Sequence, residues 1–329
     1  MRFTPDEIAA AAATIYDHMP PTPQFAWPLL AQRVGAEVWV KHENHTPTGA
    51  FKIRGGITFI DWLRRHHPEV RGIVTATRGN HGQAQARAAI KAGLTAKIFV
   101  PFGNSPEKNA AMRAFGAEVV EAGADFDAAK AAAADAAETE GLYPVPAFHP
   151  ALVCGVATYA LELFAAVADL DTVYVPIGCG SGLCGTILAR DALGLKTEVV
   201  GVVSTEAAAA KLSFEAGRII PTASANTFAD GMAVRVPVPA AFEIYSKGAA
   251  RILAVTDAEI AAAMRALYED THNLAEGSGA AAFAALMQER DRQQGKKVAV
   301  ILSGANIDRD MAAQVFAGSD MTPAVAQVA

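Results

Sequence analysis

The chain contains 329 residues, of which 52% are hydrophobic and 19% are charged. This composition excludes a disordered or collagen-like chain, and the length is sufficient for two domains of roughly 100–200 residues each. The formal net charge of −6 and the lack of a dense basic run argue against binding to nucleic acid or to an anionic membrane surface. A small molecule is therefore the expected partner.

Cysteine usage and the hydropathy pattern indicate a cytoplasmic protein. Cys154, Cys179 and Cys184 form no Cys-x-x-Cys pair, which predicts reduced thiols and argues against structural zinc. The first residues include acids and a proline where a secretory signal requires an apolar stretch, so no export sequence is expected. The uncharged windows 141–161 and 172–189 are interrupted by prolines and glycines, so neither predicts a membrane-spanning helix.

The predicted elements alternate between β-branched runs and alanine-rich helices, which is typical of βαβ units. The first half predicts strands at 37–41, 72–76, 96–100 and 117–120, and helices at 80–91, from Ser105 onward, and at 128–137. The three prolines of 142–153 predict an irregular crossover between domains. The second half predicts strands at 172–177, 198–203 and 297–302, and helices near 182–193 and 257–270.

Lys52 has a sequence context that distinguishes it from an ordinary surface lysine. Phe51 precedes it, and glycines flank it at 49 and at 55–56. Glycine lets the backbone approach a ligand closely, and removal of the amine from water lowers its pKa towards the range in which it forms a Schiff base. The context therefore indicates a nucleophilic lysine.

Two strand-to-helix turns predict anion sites. Residues 75–83, Thr-Ala-Thr-Arg-Gly-Asn-His-Gly-Gln, follow one predicted strand, and residues 175–183, Val-Pro-Ile-Gly-Cys-Gly-Ser-Gly-Leu, follow another. The free N–H groups and the dipole at such helix starts attract a carboxylate or a phosphate. Each turn alone could be an ordinary glycine turn, but together with Lys52 they indicate one ligand site.

These residues belong to a series of motifs that resembles a known family. The series comprises Lys-x-Glu-x-x-x-Pro-x-Gly-x-Phe-Lys-x-Arg-Gly at 41–55, Gly-Asn-His-Gly-Gln at 79–83, Phe-His-Pro at 148–150, Ala-Asp-Gly at 229–231, Glu-Gly-Ser-Gly-Ala at 276–280 and Ser-Gly-Ala-Asn-Ile-Asp at 303–308. Over nearly its whole length the chain resembles the fold type II pyridoxal-phosphate enzymes, close to the threonine/serine dehydratase and serine racemase family.

The resemblance implies an α/β fold of two open twisted domains with pyridoxal 5'-phosphate in the cleft between them. The large domain is expected to comprise 1–67 and 149–318, the small inserted domain 68–148, and a tail 319–329. A homodimer without a regulatory domain is also expected.

The resemblance also implies residue roles. Lys52 would bind the cofactor and remove the substrate Cα proton, Phe51 would pack against the cofactor ring, Asn80 would contact the ring hydroxyl, and Ser303 would face the pyridine nitrogen. The cofactor phosphate would lie against a loop made of Gly178, Cys179, Gly180, Ser181, Gly182 and Leu183. The substrate would contact the turn made of Thr77, Arg78, Gly79, Asn80 and His81.

Three positions depart from the family pattern. The glycine loop is one residue longer than the family's loop of consecutive glycines. At the family's cation site only Glu206 could act as a ligand, so no metal is predicted. Arg78 occupies the position of a serine that serves as the second acid/base in relatives near serine racemase. Because the pKa of arginine exceeds about 12, racemisation is disfavoured. Arg78 either binds a substrate carboxylate or shapes the pocket, or it turns outward and pairs with a surface acid.

The leading functional hypothesis is dehydration and deamination of a 3-hydroxy amino acid, such as threonine or serine, to a 2-oxo acid and ammonia. Alternatives are a dehydratase for a bulkier or acidic substrate, such as 3-phenylserine or 3-hydroxyaspartate, and an amino-acid racemase. A nicotinamide-dependent oxidoreductase requires Gly-x-Gly-x-x-Gly after its first strand, but residue 183 is leucine. A catalytically silent binding protein of the same fold is disfavoured by the intact Lys52.

Overall fold

The computed structural model describes residues 1–318, so the predicted tail 319–329 lies outside the described residues. The strands are β1 (Gln24–Ala26), β2 (Glu37–His42), β3 (Gly72–Ala76), β4 (Thr95–Val100), β5 (Glu118–Glu121), β6 (Tyr143–Pro144), β7 (Thr172–Pro176), β8 (Glu198–Ser204), β9 (Arg251–Val255) and β10 (Lys297–Leu302). They form two separate sheets, as the resemblance predicts.

Thirteen α-helices and two short 3-10 helices, 205–207 and 230–232, connect these strands within residues 1–318. The helices are α1 (Pro5–Tyr16), α2 (Pro28–Val34), α3 (Lys52–His66), α4 (Asn80–Lys91), α5 (Pro106–Ala114), α6 (Phe126–Glu140), α7 (Pro150–Ala166), α8 (Ser181–Ala192), α9 (Ala209–Ala216), α10 (Pro239–Gly248), α11 (Asp257–Thr271), α12 (Gly277–Gln288) and α13 (Arg309–Phe316).

The larger sheet has the strand order β1-β2-β10-β7-β8-β9 and the smaller sheet the order β5-β4-β3-β6. All neighbours are parallel except the edge strand β1, which runs antiparallel to β2. The central strands β7, β8 and β10 consist of buried apolar side chains along almost their whole length, because helices cover the faces of a parallel sheet. Most predicted strands are therefore confirmed to within one or two residues.

The prediction that 142–153 has no regular structure is wrong. Residues Tyr143–Pro144 pair with β3 at the edge of the smaller sheet, where a proline that lacks an N–H is tolerated. Pro150 is the first residue of α7, where its missing N–H removes no helical hydrogen bond. The side chain of His149 accepts a hydrogen bond from the N–H of Ala151 and caps this helix.

The parallel strands direct the site residues to one region. Lys52 follows β2, the 77–81 turn follows β3, the 178–182 loop follows β7, and Ser303 follows β10. In open α/β sheets the carboxyl ends of the strands border the crevice in which ligands bind. The order of the elements therefore brings four separate segments to the junction of the two sheets.

A buried ion network holds α3 in place. The Arg54 guanidinium, which has no exposed surface, contacts Glu43 through Nε at 2.8 Å and Glu162 through Nη1 at 2.6 Å. The Lys41 ammonium contacts the other oxygen of Glu162 at 2.6 Å, and Thr22 donates to Glu43 at 2.5 Å. Burial alone lowers the pKa of Arg54, but the two carboxylates raise it above its usual value, so the guanidinium stays charged.

Glycines allow α3 to touch its two neighbouring helices through backbone atoms. A Cβ on Gly55 would lie 2.8 Å from the carbonyl oxygen of Leu152 in α7, and one on Gly56 would lie 2.9 Å from that of Ala84 in α4. On α7, a Cβ on Gly155 would lie 2.6 Å from the carbonyl oxygen of Arg54. Only glycine fits these contacts without displacing a helix.

We expect Arg54→Leu to destabilise the protein strongly, because Glu43 would remain buried without a cation and Glu162 would keep only Lys41. Removing one partner of a buried ion pair typically costs about 3–5 kcal/mol of the free energy of unfolding. In the matched control Arg113→Leu, the lost partner is Glu121, 3.8 Å away in a half-exposed pair, and the cost should stay below about 1 kcal/mol. Urea unfolding of both variants measures the difference, and equal costs would contradict a structural role for the network.

Candidate functional site

The Lys52 segment is anchored to the end of β10. Gly49 adopts φ +68°, a conformation that favours glycine, and a bridge joins Ala50 to Gly304. The Phe51 N–H donates to the carbonyl oxygen of Ser303 at 3.0 Å. These contacts fix the chain direction at the point where α3 begins with Lys52.

The Lys52 amine lies in a poorly solvated environment. Its Nζ atom is 4.5 Å from the centroid of the Phe51 ring. Burial lowers the pKa of Lys52, and the nearby Cys179, Glu276 and Asp230 oppose that shift only in part. A lysine with a lowered pKa has a larger neutral fraction near pH 7, and the neutral amine is the nucleophilic and basic form.

The turn before α4 exposes backbone donors. The hydroxyl of Thr77, which is buried, accepts hydrogen bonds from the N–H groups of Gly79 at 2.9 Å and Gly82 at 3.2 Å. The N–H groups of Asn80 and His81 belong to the first helical turn, where no intrahelical acceptor exists, so they are available to an anion. Burial, followed by the charge of Lys52, lowers the pKa of His81 to about 3. His81 is therefore a neutral imidazole beside Lys52.

The loop after β7 forms a second donor cradle. Gly180 adopts φ +97° before α8 begins at Ser181, and a Cβ on Gly178 would overlap the carbonyl oxygen of Gly231. A Cβ on Gly182 would lie 3.8 Å from Cε2 of the Phe51 ring, which is an ordinary van der Waals distance. The loop thus lies beside the Lys52 segment and presents the free N–H groups of a helix N-terminus.

A hydrogen-bonded chain of side chains fixes the orientation of Asn80. Its Nδ2 atom donates to Glu276 Oε1 at 2.6 Å, and its Oδ1 atom accepts from Asn306 Nδ2 at 2.7 Å. Asn306 also donates to the carbonyl oxygen of Thr48 at 2.7 Å. Burial raises the pKa of the Glu276 carboxyl to about 7, although Lys108 opposes that shift. A neutral carboxylic acid beside Lys52 is therefore accessible near neutral pH.

Lys108 connects the two sheets across the site. It lies on α5, which follows β4 of the smaller sheet, and its ammonium pairs with Asp230 in the 3-10 helix 230–232. Its aliphatic chain lies against the turn, because a Cβ on Gly79 would lie 2.5 Å from Lys108 Cδ. A second contact across the site joins Ser105 Oγ to Asp308.

Comparison with known proteins identifies the family. The profile described as "Pyridoxal-phosphate dependent enzyme" matches residues 15–304. The chain belongs to the pyridoxal-phosphate dependent enzyme family. A biosynthetic L-threonine dehydratase of Haemophilus influenzae is 32% identical over 92% of this chain. An L-threonine ammonia-lyase of Geobacter sulfurreducens is 36% identical over 85% of this chain. The chain spans 59% of the length of the first relative and 69% of the second.

The fold agrees with that of a solved member of the same group. The processed form of threonine deaminase isoform 2 from Solanum lycopersicum superposes with a TM-score of 0.88 and is 28% identical. The match covers 97% of this chain and 95% of that chain. The predicted family and the predicted fold class are both confirmed.

The residues around Lys52 fit the cofactor of this family. The site offers a desolvated primary amine for an aldehyde and a glycine loop at a helix N-terminus for a phosphate. Three polar atoms near them, His81 Nε2, Glu276 Oε2 and Ser278 Oγ, are buried without a hydrogen-bond partner within residues 1–318. Unpartnered buried polar atoms are costly, so a polar group seated here would satisfy them.

Most of the predicted site residues meet in this region, although their roles stay predictions. Ser303 is buried at the end of β10, and its hydroxyl donates to the carbonyl oxygen of Ser278 at 3.3 Å. Arg78 is exposed and, within the described part of the chain, has no ion pair or side-chain hydrogen bond. Glu206 is exposed as well, and no cluster of metal-binding side chains occurs within residues 1–318. The expected lack of a metal stays a prediction.

Four further residues at the site received no individual role from the sequence. Asp230, Glu276 and Asn306 lie inside motifs that the sequence analysis quoted, so those motifs were the available signal. Lys108 lies outside all of them. The only sequence feature that could have indicated a place for Lys108 in the site is the capped start of α5 shortly after β4. A helix that starts there has its first turn near the same crevice.

We expect the raised pKa of Glu276 to make stability depend on pH. Between about pH 4.5 and about pH 7 the folded carboxyl holds a proton that the unfolded chain has released, so the contribution of Glu276 to the free energy of unfolding falls as pH rises. The lowered pKa of His81 contributes a slope of the opposite sign, so the Glu276 contribution is read from the difference between wild type and variant. Glu276→Gln should lose the Glu276 slope, which for one proton is at most about 1.4 kcal/mol per pH unit. Urea unfolding between pH 4.5 and 7.5 measures the slope. For the exposed control Glu206→Gln, the plot of unfolding free energy against pH should run parallel to that of the wild type. A parallel plot for Glu276→Gln would contradict the prediction.

Proposed function

We propose that this protein catalyses the pyridoxal-phosphate-dependent dehydration and deamination of a 3-hydroxy amino acid, of the threonine or serine type, to a 2-oxo acid and ammonia. The observation that carries the proposal is the position of the Lys52 amine. It is desolvated at the start of α3 and interacts electrostatically with Cys179 in the 178–182 loop. The names of the relatives support the substrate class, since both are called threonine dehydratases or ammonia-lyases.

In this proposal the cofactor is held by the residues named from the sequence. Lys52 would bind its aldehyde, Phe51 would pack against its ring, and Asn80 would contact its hydroxyl. The N–H groups of the 178–183 segment would bind its phosphate. Bound pyridoxal phosphate supplies an electron sink that stabilises negative charge at the substrate Cα. Ser303 would face the ring nitrogen with a neutral hydroxyl, which provides no charge to strengthen that sink.

The chain's own groups then divide the remaining tasks. Once the substrate amine has displaced it from the cofactor, the Lys52 amine would remove the Cα proton, a role that its lowered pKa favours because the free amine is the basic form. The turn made of Thr77, Arg78, Gly79, Asn80 and His81 would bind the substrate α-carboxylate through its backbone N–H groups and the Arg78 guanidinium. The substrate hydroxyl would take up one proton, in balance with the proton removed from Cα, and leave the neighbouring carbon as water. One water would then hydrolyse the released enamine to the 2-oxo acid and ammonia.

Alternative functions differ in substrate or in outcome. A bulkier or acidic substrate, such as 3-phenylserine or 3-hydroxyaspartate, would use the same chemistry with different side-chain contacts. A racemase needs a second acid/base, and arginine is a residue type unsuited to that task. The family assignment gives no support to the nicotinamide-dependent oxidoreductase.

We also propose the domain division 1–67 with 149–318, and 68–148. It is supported by the smaller sheet, whose strands all lie between Gly72 and Pro144. A homodimer and a cytoplasmic location are proposed from the family resemblance and the three free thiols. No helix within residues 1–318 is long and apolar enough to cross a membrane.

We expect Lys52→Ala to abolish elimination while the protein still folds, because the substitution removes both the covalent attachment point and the proposed base. Loss of a positioned base alone costs about 10²–10⁴-fold in rate. The assay is 2-oxo acid release from threonine, serine, 3-hydroxyaspartate and 3-phenylserine, with circular dichroism to verify the fold. The exposed lysine in Lys247→Ala is the matched control and should leave turnover unchanged. Normal turnover by Lys52→Ala on any of the four substrates would overturn the proposal.

We expect Arg78→Ser to lower kcat/KM by about tenfold for threonine and for 3-hydroxyaspartate alike, since a charge-assisted contact to the shared α-carboxylate would be lost. A much larger loss for 3-hydroxyaspartate would instead place its side-chain carboxylate at Arg78. Chiral chromatography of the remaining amino acid tests racemisation, which should stay absent in the wild type.

A further inference from the structure

A cavity of about 300 Å³ lies among the end of α1, the helix α3 and the helix α4. Its floor consists of the buried side chains Ile53, Ile57 and Ile60 on α3. Pockets for small ligands begin at about 300 Å³. At about 30 Å³ for a water-sized group, this volume holds roughly ten non-hydrogen atoms.

Positive charge dominates the rim of this cavity. Four cationic side chains line it, Arg64, Arg65, Arg87 and Lys91, against two acidic ones, Asp17 and Asp61. His18 lies on the same rim and adds no negative charge. The rim thus carries an excess of two positive charges, although the whole chain has a net charge of −6. A local excess opposite in sign to the whole protein attracts anions selectively.

Three of the rim cations lack a carboxylate partner. Arg65 pairs with Asp61 at 2.7 Å, but Arg64, Arg87 and Lys91 form no ion pair within residues 1–318. Arg64 donates only to the carbonyl oxygen of Ala92, and Arg87 lies 5.8 Å from the centroid of the Phe115 ring. These groups therefore retain free donors, and a guanidinium binds a carboxylate or a phosphate through two parallel hydrogen bonds.

We propose that this cavity is a binding site for a small organic dianion of about ten non-hydrogen atoms, either a phosphate monoester or a dicarboxylate. Its charged groups contact Arg64, Arg87 and Lys91, and its carbon body rests on the isoleucine floor. The site is separate from the strand ends around Lys52, since its lining comes from the outer sides of α1, α3 and α4. Binding there connects α3, which begins at Lys52, to α4, which begins at Asn80, and stabilises the folded protein.

The test is isothermal titration calorimetry of the holoenzyme, whose phosphate loop is already filled by its cofactor. Glycerol 3-phosphate and succinate are the two dianionic probes, and glycerol and butanoate are the controls for carbon body and single charge. We expect at least one dianion to bind with a Kd of about 1 mM or tighter, and to raise the melting temperature when saturating. Binding should weaken with added salt. The tighter of the two probes distinguishes a phosphate site from a dicarboxylate site.

Two variants locate the binding. Arg87→Gln combined with Lys91→Gln removes two rim cations and should weaken binding at least about tenfold. Thr14→Phe keeps every charge but places a large side chain at the rim, and should also abolish binding. The matched control, Arg218→Gln combined with Lys247→Gln, removes two exposed cations elsewhere and should bind like the wild type.

Two results would overturn the proposal. One is no saturable binding of either dianion to the wild-type holoenzyme. The other is binding that both the rim variant and Thr14→Phe leave unchanged, because the anion then lies elsewhere on the protein.

Discussion

The buried ion network around Arg54 is the constraint on which the rest of the site depends. It places two carboxylates and two cations in the interior, where each charge is tolerated only because its partners are fixed around it. Arg54 lies two residues after Lys52, so the network that holds the guanidinium also fixes the first turn of α3. The Lys52 amine is thus positioned by the buried charges around Arg54.

Around this fixed helix the site is assembled from segments far apart in sequence. The 77–81 turn, the 178–182 loop and Ser303 each follow a parallel strand and therefore lie at the same crevice. Each segment contributes backbone donors or a small side chain. Burial in this crevice shifts the pKa values of two titratable groups in opposite directions. It lowers the pKa of Lys52 and raises that of Glu276. Burial therefore shifts both groups towards their neutral forms, whereas in water both would be charged near pH 7.

The fold could be predicted from the sequence because βαβ units have local sequence patterns, namely apolar runs, capping residues and glycine turns. The sequence also predicted which motifs meet, since strand ends in parallel sheets share an edge. The prediction for 142–153 is wrong because proline does not only interrupt regular structure: Pro150 starts a helix and Pro144 lies on an edge strand. The Lys108–Asp230 pair was missed because it joins residues 122 positions apart, and such a pairing leaves no local pattern.

The direct backbone contacts of α3 with α4 and α7 limit how these helices can move against one another. Because Gly56 lets α4 touch α3 without intervening side chains, the helices have no room to rock towards each other about that point. Rocking α4 towards α3 would bring these backbone atoms into overlap, whereas sliding along their shared surface would not. The packing of α3 therefore favours a shear movement of the smaller sheet over a hinge in the linking segments.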